Sequence, residues 1–84
     1  MYFVYILRSK KDDEHCVGMT SDLEARLAYH NKGRVRSTKH RLPFEMIYTE
    51  SFQTRAEARE REKYLKSYAG SKEKLSIIEH CRVI

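Results

Sequence analysis

An arginine and a histidine, Arg26 and His30, lie four residues apart in the stretch SDLEARLAYHN, shortly after a glycine, Gly18, that ends the strand-like run HCVGMT. Residues spaced by four on a helix project to one side, so a guanidinium and an imidazole reach the same place. Together with Gly18 they could be parts of one site. Equally, Arg26 could be a solvated charge and His30 a complement to the dipole at a helix C-terminus. A glycine in the position of Gly18 admits close approach of another backbone or of a phosphate, or makes a bulge or turn.

Three further features invite the same question. Glu62 stands in the middle of an apolar stripe, Ala58, Glu62, Leu65 and Ala69, at 3–4 spacing. A carboxylate there is either half-buried and paired, with Lys66 one turn away, or a metal ligand. Tyr5 sits in an apolar strand and would be a core residue in most proteins. Its phenol, with a pKa near ~10, could act as a base only with a cation such as Arg26 beside it. From residue 32 to 41 the chain reads KGRVRSTKHR, in which five of ten positions are Lys or Arg, His40 is added and no acid appears. Such a run is either a solvated loop or a contact for a phosphate backbone, through Lys32, Arg34, Arg36, Lys39, His40 and Arg41.

The elements that would position these groups follow from patterning. YFVYILRS, residues 2–9, places Tyr2, Val4 and Ile6 on one face and Phe3, Tyr5 and Leu7 on the other. With both faces apolar, a strand covered on each side is expected. A polar turn, KDDE and its neighbours, leads to a returning strand from His15 to Thr20, a β-hairpin. Ser21 followed by Glu24 reads as a capping box, with Leu23, Leu27 and Ala28 as the buried stripe and Gly33 as the left-handed residue that ends the helix. Residues 34–43 read as loop, and Phe44 to Thr49 as a third strand with Pro43 at its mouth. Thr54 and Glu57 form a second capping box, opening a helix to about residue 68; after Gly70 a short helix over 72–79 follows. The expected fold class is α+β, a three-stranded antiparallel sheet flanked by helices, in one domain spanning 1–84.

Composition bounds the function. Seventeen Lys and Arg against twelve Asp and Glu leave +5, which suits a polyanionic partner without proving one. The two cysteines, Cys16 and Cys81, each follow a histidine, but two separated thiols form no disulfide framework and no complete zinc set. No apolar run approaches the ~18 residues of a membrane span, so a cytoplasmic protein with reduced thiols and no membrane partner is expected.

Taken together, these residues resemble the GIY-YIG nuclease family, specifically its small stand-alone bacterial members, and the likeness extends over nearly the whole chain. Phe3, Val4 and Tyr5 stand where the first signature triplet of that family stands, and Cys16, Val17 and Gly18 where the second does. The spacing from Gly18 to Arg26, the helix TSDLEARLAYHN and the later REKYLK around Glu62 fit its pattern. The family includes domains of an excision-repair nuclease and of homing endonucleases. The resemblance implies a metal-dependent endonuclease that hydrolyses DNA. In it Tyr5 helps to activate water, Arg26 stabilises charge on the scissile phosphate and His30 assists proton transfer. Glu62 holds a single divalent ion, Mg²⁺ or Mn²⁺. Targeting is left to a partner protein or a homodimer. The alternative is a nucleic-acid-binding module of the same fold that cleaves slowly or not at all, because Cys16 takes the place of the second signature tyrosine.

Overall fold

The computed structural model describes residues 1–35 and 42–83. Its elements run β1 (Tyr2–Ser9), β2 (His15–Thr20), α1 (Leu23–Asn31), β3 (Phe44–Phe52), α2 (Arg55–Lys66) and α3 (Ser71–Val83). The fold class is α+β, with one antiparallel sheet in the order β2-β1-β3. The central strand is the most apolar stretch of the chain, and Val4, Tyr5, Ile6 and Leu7 are all buried. Burial on both faces follows from what the two sets of side chains meet. Val4 and Ile6 pack with Val17, Ala58, Leu65 and Ile78, under α2 and α3. Tyr5 and Leu7 pack with Phe44, Cys16, Leu23 and Leu27, under α1.

Register fixes which side chains share a face. Tyr5 lies opposite Gly18 on β2 and opposite Thr49 on β3. Between Ile6 and Leu7 the β3 register shifts, with Ile6 facing Tyr48 and Leu7 facing Met46. The extra residue, Ile47, turns into the same cluster as Tyr48, as a β-bulge allows. The hairpin between β1 and β2 is closed by buried Ser9, whose hydroxyl accepts from the amides of Lys11 and Asp12 at 3.1 and 3.3 Å.

Several local expectations shift by a residue or more. The N-cap of α1 is Asp22, whose carboxylate accepts from the Ala25 amide at 3.1 Å, and not Ser21. Adjacent Ser and Asp both suit an N-cap, and Asp22 takes the part because Thr20 already holds its amide at 3.1 Å. The α1 stripe differs as well: Ala28 is exposed, while His30 is buried. At the C-terminus of α1 the Gly33 amide donates to His30 O (3.0 Å) and the Arg34 amide to Tyr29 O (3.4 Å), with Gly33 at φ 73°. This is a Schellman stop, which needs the left-handed residue that glycine supplies.

The Thr54 cap of α2 is as expected, with its hydroxyl accepting from the Glu57 amide and donating to the Glu57 carboxylate. α2 stops at Lys66, so Ala69 lies beyond it and is exposed. The turn to α3 folds Gly70 against α2, where a Cβ would stand 2.6 Å from the Tyr64 carbonyl carbon. α3 is longer than expected, 13 residues. A network joins β3, α2 and α3: Arg61 grips Glu50 through two bonds of 2.9 Å and pairs with Glu73, while the Tyr48 hydroxyl donates to Glu50 at 2.8 Å.

Candidate active site

The phenol of Tyr5 is the centre around which the candidate residues gather. The side chain leaves β1 on the α1 face and passes over β2 directly above Gly18. A Cβ at Gly18 would stand only 2.5 Å from Tyr5 Cζ, so any larger residue would collide with the ring. The close approach anticipated at Gly18 is thus that of a phenol, not of a backbone or a phosphate. Across this gap Tyr5 reaches α1. Its hydroxyl lies 3.2 Å from His30 Nε2 and accepts a hydrogen bond from Arg26 Nε at 3.2 Å.

The helix supplies both partners because they are one turn apart, and both aim at the sheet. His30 is 2 % exposed, with its ring edge-on to those of Tyr5 and Phe44. Burial lowers its pKa from the ordinary 6.5, and the positive charge of Arg26 lowers it further, so it is neutral at pH 7. Burial raises the Tyr5 pKa above its ordinary 10.0, against the opposing effect of the Arg26 hydrogen bond and charge. The phenol is therefore protonated at neutral pH, with a neutral imidazole nitrogen 3.2 Å from its oxygen.

Glu62 stands apart from this trio. Its side chain is 20 % exposed and accepts from Lys66 Nζ at 3.2 Å, the one-turn pair that the spacing allows. Its charge still reaches the phenol and contributes the last of the influences raising the Tyr5 pKa. Among the described residues no three His, Cys, Asp or Glu side chains converge as a metal cage. A hard oxygen donor paired only with an exposed lysine suits a magnesium ion, which takes one or two carboxylates and completes its shell with water and phosphate oxygens. It does not suit a protein-enclosed zinc. The two His-Cys pairs are also divided, because Cys16 packs beside Tyr5 while Cys81 bonds the Ile47 carbonyl under α3.

Tyr29 borders the candidate site, and sequence reasoning missed it although its i+3 spacing from Arg26 carried the signal. It is 45 % exposed, and the Arg26 guanidinium lies 5.3 Å from its ring centroid. Clefts open on both sides of this ring. One of about 210 Å³ is lined by Thr20, Asp22, Ala25 and Arg26; the other, of about 350 Å³, is lined by Ala25, Ala28, Lys32 and Arg34. Lys32 and Arg34 thus border the site, whereas Arg36, Lys39, His40 and Arg41 lie outside the described residues. Val4 and Val17 are core residues of the opposite face. A separate cavity of about 340 Å³ lies at the other end of the sheet, and the charges of its lining, Arg8, Asp13 and Glu45, are already paired with one another.

A model of the GIY-YIG catalytic domain matches residues 1–80. Among curated proteins, the chain is 39% identical over 79 residues to the UPF0213 protein YazA of Bacillus subtilis, covering 93% of this chain and 79% of that one. It is 38% identical over 79 residues to a UPF0213 protein of Staphylococcus haemolyticus, covering 93% and 94%. Among solved structures, a UPF0213 protein of Bacillus halodurans, determined by solution NMR, is similar at a TM-score of 0.54 and 31% identity, over 92% of this chain and 85% of that one. Among the described residues no helix is long and apolar enough to cross a membrane.

Proposed function

The chain belongs to the GIY-YIG catalytic domain family, and from that premise we propose that it is a metal-dependent endonuclease hydrolysing DNA phosphodiester bonds. The observation that carries this reading is the Tyr5 hydroxyl placed between a cation and a neutral histidine, at 3.2 Å from each. A buried phenol with a raised pKa is a poor base by itself. With His30 protonated on Nδ1, the Nε2 lone pair can take the phenolic proton as the phenol takes one from water, so no phenolate need accumulate. Arg26 is only partly buried, and the guanidinium nitrogens beyond its Nε remain for a phosphate whose charge grows during attack.

Glu62 would hold the divalent ion, Mg²⁺ or Mn²⁺, with water and phosphate oxygens as the other ligands. Such an ion supplies Lewis-acid stabilisation of negative charge on the phosphate and its leaving oxygen. Lys66 competes for the same carboxylate, so loading the site loosens an i,i+4 pair worth only about 0.3–0.5 kcal/mol. Lys32 and Arg34, beside the Arg26 cleft, supply phosphate-backbone contacts of the strand being cut.

A second reading is favoured by Cys16, whose thiol packs in the Tyr5 cluster at the place of the second signature tyrosine. A phenol there would add a polar group over the site; a thiol fills the volume and adds none. On that reading the protein binds nucleic acid and cleaves it slowly. The test incubates the protein with supercoiled plasmid and with branched and single-stranded DNA in Mg²⁺ or Mn²⁺, alongside Glu62→Ala and Arg26→Ala. Cleavage lost in both variants supports hydrolysis at this site; no cleavage by wild type, or equal cleavage by all three, removes it.

A further inference from the structure

We infer that the outer flank of α2, carrying Arg55, Arg59 and Lys63, is a second contact surface for a phosphodiester backbone, so that nucleic acid is gripped from both sides of the β2 edge. This rests on the reading of the chain as one that acts on DNA. α2 lies across β1 and β2 with Ala58 and Leu65 buried beneath it. One flank is fixed by Arg61, which reaches Glu50 on β3. The opposite flank therefore overhangs β2, the edge strand on the other side of β1, and it begins with Glu62. At about 100° per residue, Arg55, Lys66 and Arg59 follow within about 60° of Glu62 and Lys63 within about 100°. All three unassigned cations are exposed, and they line a shallow cleft of about 360 Å³ with Ala56 and Glu60. On the opposite face of the sheet Arg26 meets Tyr5 above Gly18 of β2, and Lys32 and Arg34 follow at the end of the same helix. The proposed metal carboxylate and the phosphate-binding arginine are thus the inner members of two basic ridges.

The helix itself gives no reason for this stripe. Among the described residues Arg55, Arg59 and Lys63 form no ion pair, unlike Arg8, Arg61 and Lys66. Arg55 is the first residue of α2, where the macrodipole disfavours a cation. Arg55 with Arg59, and Arg59 with Lys63, are like charges one turn apart, which is also unfavourable. A ridge that costs the isolated helix stability, makes no internal pair and adjoins Glu62 is matched by an anion from outside.

The test measures binding of short labelled DNA, single-stranded and duplex, without divalent ions, across a salt series. It compares wild type, the triple variant Arg55→Gln/Arg59→Gln/Lys63→Gln, and a charge-matched control, Lys10→Gln/Lys11→Gln/Lys72→Gln, built from exposed residues elsewhere. The α2 triple should bind at least tenfold more weakly at low salt, with the slope of log K on log salt reduced by about 2–3. The control should keep the wild-type slope, and the α2 triple should be at least as resistant to urea as wild type. A loss confined to one DNA form supports the ridge and identifies the form that tracks it. Unchanged binding by the α2 triple, an equal loss in the control, or a triple less stable than wild type overturns the inference. Absence of wild-type binding overturns it together with the DNA reading. Binding that weakens as expected, by a wild type that never cleaves, supports the ridge and removes only the hydrolase.

Discussion

Replacing Gly18 by alanine tests the packing that delivers the phenol to its partners. The new Cβ would lie 2.5 Å from Tyr5 Cζ, whereas carbon atoms rest at about 3.5–4.0 Å, so the ring must move by about 1 Å or more. It has nowhere to go freely, because Tyr5 is 2 % exposed and the strands on both sides fix its backbone. Overpacking of this kind costs about 1–3 kcal/mol. Both phenolic hydrogen bonds are already 3.2 Å long, and losing them adds about 0.5–1.5 kcal/mol each. The sum, about 2–6 kcal/mol, is a large part of the roughly 4–12 kcal/mol available to a domain of this size. Urea unfolding should show a midpoint lower by about 2 M or more, at ~1 kcal/mol/M, and cleavage should fall with it. Adding Tyr5→Leu to Gly18→Ala should recover the overpacking share of stability while leaving cleavage absent. A Gly18→Ala variant with wild-type midpoint and wild-type cleavage would refute the account of how the site is built.

Tyr5→Phe should cost about 1–3 kcal/mol, because it removes a partner of a buried imidazole nitrogen, and should slow cleavage by about 10²–10⁴-fold; single-turnover kinetics and urea titration measure the two effects separately. Glu62→Gln should abolish Mg²⁺-dependent cleavage yet change the unfolding free energy by less than about 0.5 kcal/mol, since it disturbs only a partly exposed one-turn pair. The pKa of folded His30 lies below its unfolded 6.5, so its neutral form favours the folded state. That contribution is complete above pH 6.5 and is lost as pH falls through the lowered value. His30→Phe should flatten the dependence of stability on pH below 6.5, and an unaltered profile would contradict the assignment. Arg61→Ala, which strands Glu50 and Glu73, should destabilise by about 1–3 kcal/mol after allowance for partial exposure, read as a shift in thermal midpoint.

What can be read from the residues is what local pattern encodes. Apolar alternation on both faces of residues 2–9 identifies the central strand, and Gly33 and Thr54 identify helix ends because their roles depend on the next few residues. The meeting of Arg26 with His30 is legible from a spacing of four, and that of Tyr5 with both follows from the family pattern. The seat of the Tyr5 ring over Gly18 is not legible, because strand register decides it. Ala69 and Ala28 mislead because alanine fits either side of a helix boundary or stripe at little cost. The cations of α2 escape notice because an isolated basic residue on a charged helix has no local signature. Only the bond from Arg61 to Glu50 on β3 reveals which flank overhangs the site.

The side chain of Asn31 is clipped to the Phe44 backbone, accepting from its amide at 2.8 Å and donating to its carbonyl at 3.2 Å. The end of α1 and the start of β3 are thereby fastened together beside His30, so the imidazole that meets Tyr5 is held by two elements at once, and a slip of β3 along the sheet would carry it away from the phenol.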